Sequence, residues 1–472
     1  MPETIGIVGG GASGVLAAAQ LLARTEHRVV LIEPGELARG IAYSTTYASH
    51  LLNVPAAKMS ALAEDSSHFL RWLETRFPGR YGVTSFVPRI IYGDYLTDIA
   101  SRFFVDYPGR FVHVRDCAVD VKRDGDRLGI VCANGDTLSV DRCIVATGHA
   151  KVSRAGQHAD LPQVFSSAWI DGALVPADAD EPVAILGSGL TAIDAVLGLR
   201  GNGHRGGITL ISTRGLLPHE HRLTDDPLDW RASVDDLRAV TNARWQAMSL
   251  VEQRRFLRHY ASYWNAHRHR MAPQIAQEIG QLLAVGTLNV VAGRVRSIAA
   301  GAEGLSLTIR LRGSQTERML DVARVIDCTG SDQDVRKTAN PFLRSLLDRG
   351  LLTPHPVGVG SCVAGDGALI DRNGVASSRL FAIGPLRFGS FFETTAIPEI
   401  RAQAEQFAQS LSAERAADTE KWDGRESNPH ALSSGKFSHH YSFRYRVRAF
   451  SANAFVGPDC AMTMSDRRNG RR

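Results

Sequence analysis

The 472-residue sequence has six cysteines, Cys117, Cys132, Cys143, Cys328, Cys362 and Cys460, and no two are spaced C-x-x-C. That scatter argues against a disulfide framework, a zinc ribbon and a dithiol redox centre, and leaves each thiol the reading of a small buried hydrophobe. No run of about 18 or more apolar residues occurs, so no membrane span is expected. The N-terminus has no basic region followed by an apolar stretch and a cleavage site, and it enters a strand at Thr4 to Val8; a cytoplasmic location is the expectation. The folded body also lacks a charge excess. Residues 420–472 hold 10 Lys/Arg against 5 Asp/Glu, which accounts for the whole formal charge of +5. A nucleic-acid partner would call for a basic face within the body, so none is expected. No Ser-His-Asp arrangement or G-x-S-x-G elbow supports nucleophilic hydrolysis.

What is present is an ordinary folded composition, 44% hydrophobic and 22% charged, at a length that implies about two to four domains. The chain opens with an apolar strand, a glycine turn, an alanine-rich helix from Val15 to Ala23 and a second strand, Arg28 to Ile32, which is a Rossmann opening. A strand-rich stretch from about 111 to 140 follows, with Asn134-Gly135 as its hairpin turn, because both residues tolerate positive φ. The strand Cys143 to Ala146 then runs into Thr147-Gly148. Past a loop rich in Pro, Ala and Asp the pattern restarts with the strand Val183 to Leu186, the turn Gly187-Ser188-Gly189, a helix from Leu190 to Leu199 and the strand Ile208 to Ile211. Between about 225 and 285, apolar positions recur at three and four residues, which predicts a helical insertion. Strands return at Leu288 to Val291 and Leu305 to Leu311, and the segment ends in Cys328-Thr329-Gly330, mirroring Ala146-Thr147-Gly148. A strand from Leu380 to Ile383 entering Gly384-Pro385, and a helix from about Pro398 to Leu411, return the chain to the first domain. Residues 420–472 turn to Arg, Ser, His and Asn without a period and read as a poorly ordered basic tail.

The fold class expected is therefore α/β: two Rossmann-like dinucleotide-binding domains, residues 1–165 with 331–415 and residues 180–330, the second inserted into a discontinuous first. In Gly9-Gly10-Gly11-Ala12-Ser13-Gly14, Gly9 allows the tight turn, Gly11 admits a pyrophosphate and Gly14 lets the helix pack on the strand. The helix N-terminus turns free N–H groups and a partial positive charge toward phosphates. Glu33 ends the second strand 19 residues after Gly14, near the roughly 20 expected of a ribose hydroxyl ligand. The bland alternative is a tight βα turn with no ligand. In the second fingerprint, Gly187-Ser188-Gly189-Leu190-Thr191-Ala192, alanine replaces the third glycine, as the pattern permits. Ser212-Thr213-Arg214 ends its second strand without an acid, which favours NADPH over NADH because Arg214 can hold a 2′-phosphate that an acid would repel. Arg214 as a solvated surface residue, and the second domain as a ligand-free scaffold, stay open.

The run Trp264 to Arg270 holds two histidines two residues apart, which point about 200° apart on a helix and cannot share a metal. No metal site is expected. The run reads as a basic helix face or, more sharply, as the lining of an entrance for an anionic substrate or NADPH phosphate. His219 and His221 are equally ambiguous.

From about Ile5 to Leu411 the sequence resembles the FAD/NAD(P)-binding family that includes flavin-dependent urate hydroxylases and aspartate N-hydroxylases. The residues that carry the likeness are Gly40 to Tyr43, His50 to Ala56 with Met59-Ser60, Pro88-Arg89 with Tyr92-Gly93, Gly187 to Asp194, the Trp264 to Arg270 run and Phe392 to Arg401. The resemblance implies a class-B-like flavoprotein with FAD in the discontinuous domain and NAD(P)H in the inserted one. It places Leu52, Asn53 and Val54 near the flavin, with Asn53 the polar side chain beside the isoalloxazine ring and the catalytic candidate. Gly384-Pro385 stands where related flavoproteins carry Gly-Asp for the ribityl chain, and backbone N–H groups or Glu393 and Thr394 are the candidates to compensate. Val119, Thr147, Gly148 and Gly330 complete the expected cofactor-binding set. The implied activity is a monooxygenase that hydroxylates a small, polar, nitrogen-containing substrate with O₂ through a flavin hydroperoxide. Few acids or bases are then required, since the flavin carries the hard chemistry. Electron delivery to a quinone or protein partner, and a non-catalytic FAD-binding redox sensor, are the alternatives; the oligomeric state is open.

Overall fold

The structure, a computed structural model, describes residues 2–148, 160–222, 229–301, 304–330 and 332–426, with side chains of the final helix described to residue 413. The chain begins with β1 (Thr4–Val8), α1 (Ala12–Arg24) and β2 (Arg28–Ile32). A short helix α2 (Gly40–Tyr43), helices α3 (His68–Arg76) and α4 (Arg89–Asp106), and β3 (Phe111–Val114) follow. Strands β4 (Ala118–Asp124), β5 (Arg127–Cys132) and β6 (Thr137–Val140) form an antiparallel sheet of their own before β7 (Arg142–Val145). Helix α1 starts three residues earlier than the apolar run suggests, because the glycine turn itself caps it.

The second unit contains β8 (Val164–Phe165), β9 (Val183–Leu186), α5 (Leu190–Gly201) and β10 (Ile208–Ser212). The helical stretch is four helices, α6 (Trp230–Ala247), α7 (Leu250–His259), α8 (Ala261–Arg268) and α9 (Pro273–Ala284). Local chemistry sets the breaks: Asp229 caps α6, Ser249 and Glu252 form a capping box on α7, and Pro273 opens α9 where a missing N–H costs nothing. Trp245, Phe256 and Trp264 bury against one another as a small core of this stretch. Strand β11 (Leu288–Ala300) extends well past the expected Val291 and continues into β12 (Leu305–Leu311), β13 (Glu317–Val322) and β14 (Arg324–Asp327).

The chain then passes through α10 (Pro341–Asp348), β15 (Ala368–Ile370) and β16 (Ala376–Ala382) to α11 (Ile397–Glu426). Sheet order shows the return: β15-β16-β7-β1-β2-β3 is one sheet, drawn from both ends of the chain, and β13-β12-β11-β10-β9-β14-β8 is the other. Helix α1 is buried among Ile91, Tyr92 and Tyr95 of α4 and Ile400, Ala404 and Phe407 of α11, and its alanines allow that close approach. Helix α11 corrects one expectation: it runs to Glu426 rather than Leu411, so residues 420–426 are helical rather than the start of a tail. The remainder of the expected tail, 427–472, lies outside the described residues.

Candidate functional site

The first cleft is built at the carboxyl ends of β1 and β7. Gly9 has φ +106, and a Cβ there would press on the Ala146 carbonyl just before Thr147 and Gly148. A Cβ at Gly14 would fall on the Gly9 carbonyl oxygen, so α1 cannot dock with any other residue there. Gly11 caps α1 with no side-chain bond, leaving the first N–H groups of Ala12 and Ser13 to an external acceptor. Glu33 accepts from Gly10 N at 2.8 Å and Gly35 N at 3.3 Å, so its carboxylate buttresses the turn and still retains acceptor capacity toward a ribose. Val119 is the bulged residue at the head of β4.

The returning chain closes this cleft. A Cβ at Gly384, which has φ +79, would lie 2.9 Å from Ser13 Oγ, so the Gly384-Pro385 turn abuts the α1 N-terminus. Gln403 of α11 accepts from Gly384 N (2.8 Å) and donates to Thr394 O (3.2 Å), tying the two segments together. The hydroxyls of Thr147 and Thr394 are buried with no hydrogen-bond partner among the described residues. Buried hydroxyls without partners are costly. Glycine at the close approaches, an uncapped helix start and two orphaned hydroxyls together fit a bound dinucleotide. Glu393 differs from expectation: Arg268 donates to both its carboxylate oxygens, at 3.1 and 3.3 Å, which binds it to the helical stretch.

The second cleft repeats the turn. Gly187 has φ +110 and faces the Cys328 carbonyl, and Gly189 caps α5 without a side-chain bond. Ala192 fits where Gly14 is obligatory, and Thr191 is half-buried in the first turn of α5. Ser188 donates its one hydroxyl proton to Leu216 O (2.5 Å) and accepts from Ser212 Oγ (2.8 Å), and Ser212 accepts from Gly215 N (3.0 Å), so these two serines bind each other at the base of the cleft. Arg214 stacks over Tyr263 at 5.0 Å and donates to the carbonyls of Arg258 and His259. Gly330, at φ +86, lies beyond β14 opposite this turn.

Between the clefts runs the 50–54 segment. Leu52 is buried and donates its N–H to Val87 O at 2.8 Å; Asn53 and Val54 are half-exposed. Asn53 O accepts from His221 Nε2 at 2.9 Å. A carbonyl only accepts, so Nε2 carries the proton, and burial followed by the Arg270 charge pushes the His221 pKa down to about 4. His50 is fully buried, bonding Thr45 Oγ1 at 2.7 Å and the Asp194 carbonyl at 2.8 Å. Arg89, partly buried, pairs with the buried Asp194 carboxylate at 2.9 Å. Burial raises the Asp194 pKa while Arg89 and His50 oppose it. His50 and Arg89 belong to the first unit and Asp194 to α5, so this cluster fastens the two clefts together.

The basic run needs correction. Helix α8 ends at Arg268, Arg268 pairs with Glu393, and Arg270 is buried in an ion pair with Asp235, so the run is neither a solvated face nor an open anion entrance. His267 packs with His219 and Trp230 at ring distances of 4.4 and 4.8 Å. Asn242 Oδ1 accepts from Phe392 N and Glu393 N at 2.9 and 2.8 Å, a contact that sequence reading missed. Among the described residues no three His, Cys, Asp or Glu are grouped to hold a metal, and no helix is long and apolar enough to cross a membrane.

The fold and its paired clefts are those of the flavoproteins with two dinucleotide-binding domains. Residues 6–150, which include the glycine turn of the first cleft, match the family model described as FAD-NAD(P)-binding. An uncharacterised protein of Mycobacterium tuberculosis is 27% identical over 188 residues, 38% of this chain and 34% of that protein; the match spans about a third of the curated relative's length. Ornithine N-hydroxylase from Kutzneria, solved with reduced FAD, NADP⁺ and L-ornithine, is similar at TM-score 0.65 and 14% identity, covering 88% of this chain and 100% of that one. Cadaverine monooxygenase from Erwinia amylovora, bound to FAD, is similar at TM-score 0.66 and 14% identity, covering 94% and 100%.

Proposed function

We propose that this chain is an NADPH-dependent flavin monooxygenase that hydroxylates a small polar amine. The observation that carries the reading is the pair of intact glycine turns fastened across the Arg89–Asp194–His50 cluster, with the Asn53 segment between them. The match of residues 6–150 to the FAD-NAD(P)-binding model and the fold shared with amine hydroxylases support it. In this reading FAD occupies the first cleft: Gly9, Gly11, Ala12, Ser13 and Gly14 receive its pyrophosphate, Glu33 the ribose, Val119 the adenine side, and Thr147, Gly148, Gly384 and Thr394 the remaining polar atoms. NADPH occupies the second, with Gly187, Ser188, Gly189, Thr191 and Gly330 around the pyrophosphate, Ser212 supporting the turn and Arg214 taking the 2′-phosphate.

When bound, the flavin accepts hydride from NADPH and activates O₂; the balanced reaction consumes amine, O₂, NADPH and a proton and yields hydroxylamine, NADP⁺ and water. The chain's own work is placement. Leu52 and Val54 would shield the flavin from water, and the Asn53 amide would supply a hydrogen bond at the ring. Neutral His221 fixes the Asn53 main chain through Nε2–H, and the Arg268–Glu393 pair holds the returning segment against the helical stretch.

The test is NADPH consumption by the FAD-loaded protein across a panel of diamines and basic amino acids, with hydroxylamine product assayed and stopped-flow spectra recorded after O₂ is mixed with reduced protein. Product equal to NADPH consumed is expected for at least one amine. NADPH oxidation that reduces quinones or a disulfide without hydroxylated product would overturn the monooxygenase reading in favour of a reductase.

A further inference from the structure

The β11–β12 side of the second sheet concentrates arginine beyond what one cofactor phosphate requires. A cavity of about 640 Å³ opens between β11, β12 and helices α7 and α8, lined by Arg214, Arg258, Arg294, Arg296, Arg310 and Arg312 and by no carboxylate. The partners of these side chains are neutral: Arg214 bonds two carbonyls, Arg310 bonds Gln315 at 2.6 Å and Arg312 reaches the Tyr263 hydroxyl at 3.5 Å. Glu317 is the cross-strand neighbour of Arg310 on β13, yet it does not line the cavity.

Register along β11 divides the arginines into two groups. Ala292 marks the near end, because its carbonyl accepts from Arg312 N at 2.9 Å and its Cβ lies 3.0 Å from the Cβ position of Gly215, next to Arg214. At about 3.3 Å per residue, Arg294 lies about 7 Å and Arg296 about 13 Å further along the strand. Arg294 is directly opposite Arg310, and Arg296 is the extra residue where the register shifts between Val295 and Ser297. Like charges directly opposite in an antiparallel pair repel, and a bulge re-aims a side chain, so the arrangement gathers positive charge rather than dispersing it. A single 2′-phosphate offers three terminal oxygens, and each guanidinium five N–H donors. The near arginines alone exceed that demand.

We propose that the far half of this cavity, Arg294, Arg296 and Arg310, is a second anion site that takes an oligophosphate, free or carried on a nucleoside. Its concave shape and length suit a short chain of phosphates, each met by a guanidinium fork. It goes beyond the NADPH reading, which assigns Arg214 alone.

The test is isothermal titration of the purified full chain, saturated with NADP⁺, with inorganic tripolyphosphate and separately with ATP, in about 0.15 M salt so that loose surface attraction is screened. Tripolyphosphate should bind, and R294A/R296A should weaken it at least tenfold while changing the NADPH KM less than twofold. Tighter binding of ATP than of tripolyphosphate would assign the ligand to a nucleoside polyphosphate; equal or weaker binding would assign it to the free chain. The proposal is overturned if wild-type protein gives no heat with either, or if R294A/R296A raises the NADPH KM as R214D does, in which case the arginines serve the nicotinamide cofactor. Titration needs no turnover, so a failed NADPH assignment with intact tripolyphosphate binding would sink that reading alone.

Discussion

At Gly9 and at Gly187 the backbone takes the same left-handed turn, φ +106 and +110, and at each an added Cβ would meet the carbonyl that ends the neighbouring strand, Ala146 in one cleft and Cys328 in the other. Past the glycines the clefts part. The first answers its turn with a carboxylate, Glu33 on Gly10 N, and tolerates nothing larger than glycine at position 14. The second uses two hydroxyls, Ser188 and Ser212, accepts Ala192, and places Arg214 two residues past the end of its strand. The shared part is the steric requirement of a strand entering a helix in three residues. The differing part is the sign of the charge past the second strand of each unit, which in the proposed reading sets which nucleotide each cleft suits.

Substitution at the third turn position should separate the clefts most strongly. Gly14→Val drives side-chain atoms into the Gly9 carbonyl, so the purified variant should lose FAD, read as the loss of flavin absorbance; Ala192→Gly should leave the NADPH KM within about threefold. A yellow, fully loaded Gly14→Val protein would remove the first cleft's claim to the flavin.

Next in size is the fastening between the clefts. Arg89→Leu leaves the Asp194 carboxylate buried without its cation and should cost about 3–5 kcal/mol in urea unfolding. The double variant Arg89→Leu/Asp194→Leu should recover much of that loss. Equal destabilisation in both would show that packing, not charge, holds the junction. Arg214→Asp replaces a charge-assisted phosphate contact worth about 1.5–3 kcal/mol, so the NADPH KM should rise roughly 10- to 100-fold with little change for NADH. Equal effects on the two cofactors would erase the difference of sign between the clefts.

The smallest effect is with pH. His221 and His269 are held to about 4 by burial, against an ordinary 6.5. The unfolded chain therefore takes up these protons first: stability is full above pH 6.5 and falls as pH drops toward 4, by at most about 1.4 kcal/mol per unit for each histidine. His221→Gln should flatten part of that slope in thermal denaturation measured from pH 7 to 4.5; an unchanged slope would detach His221 from the junction's stability.

Much of this was legible in the residues. Gly9, Gly11 and Gly14 with Glu33, and Gly187 and Gly189 with Arg214, mark two strand-turn-helix units because each constraint is local, within a few residues of the turn. The Trp264 to Arg270 run misleads for the opposite reason: whether an arginine is solvated or paired depends on Glu393 and Asp235, which are 125 and 35 residues from their partners. Asn242 and His221 act on main-chain atoms of distant segments and leave no spacing signal. His50, Arg89 and Asp194 do appear in the motifs behind the family resemblance, but nothing in those motifs says that they touch.

The sequence by itself determined the two dinucleotide turns, their order, the contrast of Glu33 with Arg214 and the return of the chain at Gly384, since periodicity, glycine and charge sign at strand ends act over short range. The tertiary structure alone decided that Gly384 abuts Ser13, that Arg89 and Asp194 join the clefts, and that arginines from the turn after β10 and from α7, β11 and β12 converge on one cavity. Those are consequences of sheet order and register, which bring residues far apart in the chain within a few ångströms, and no local rule encodes the distance.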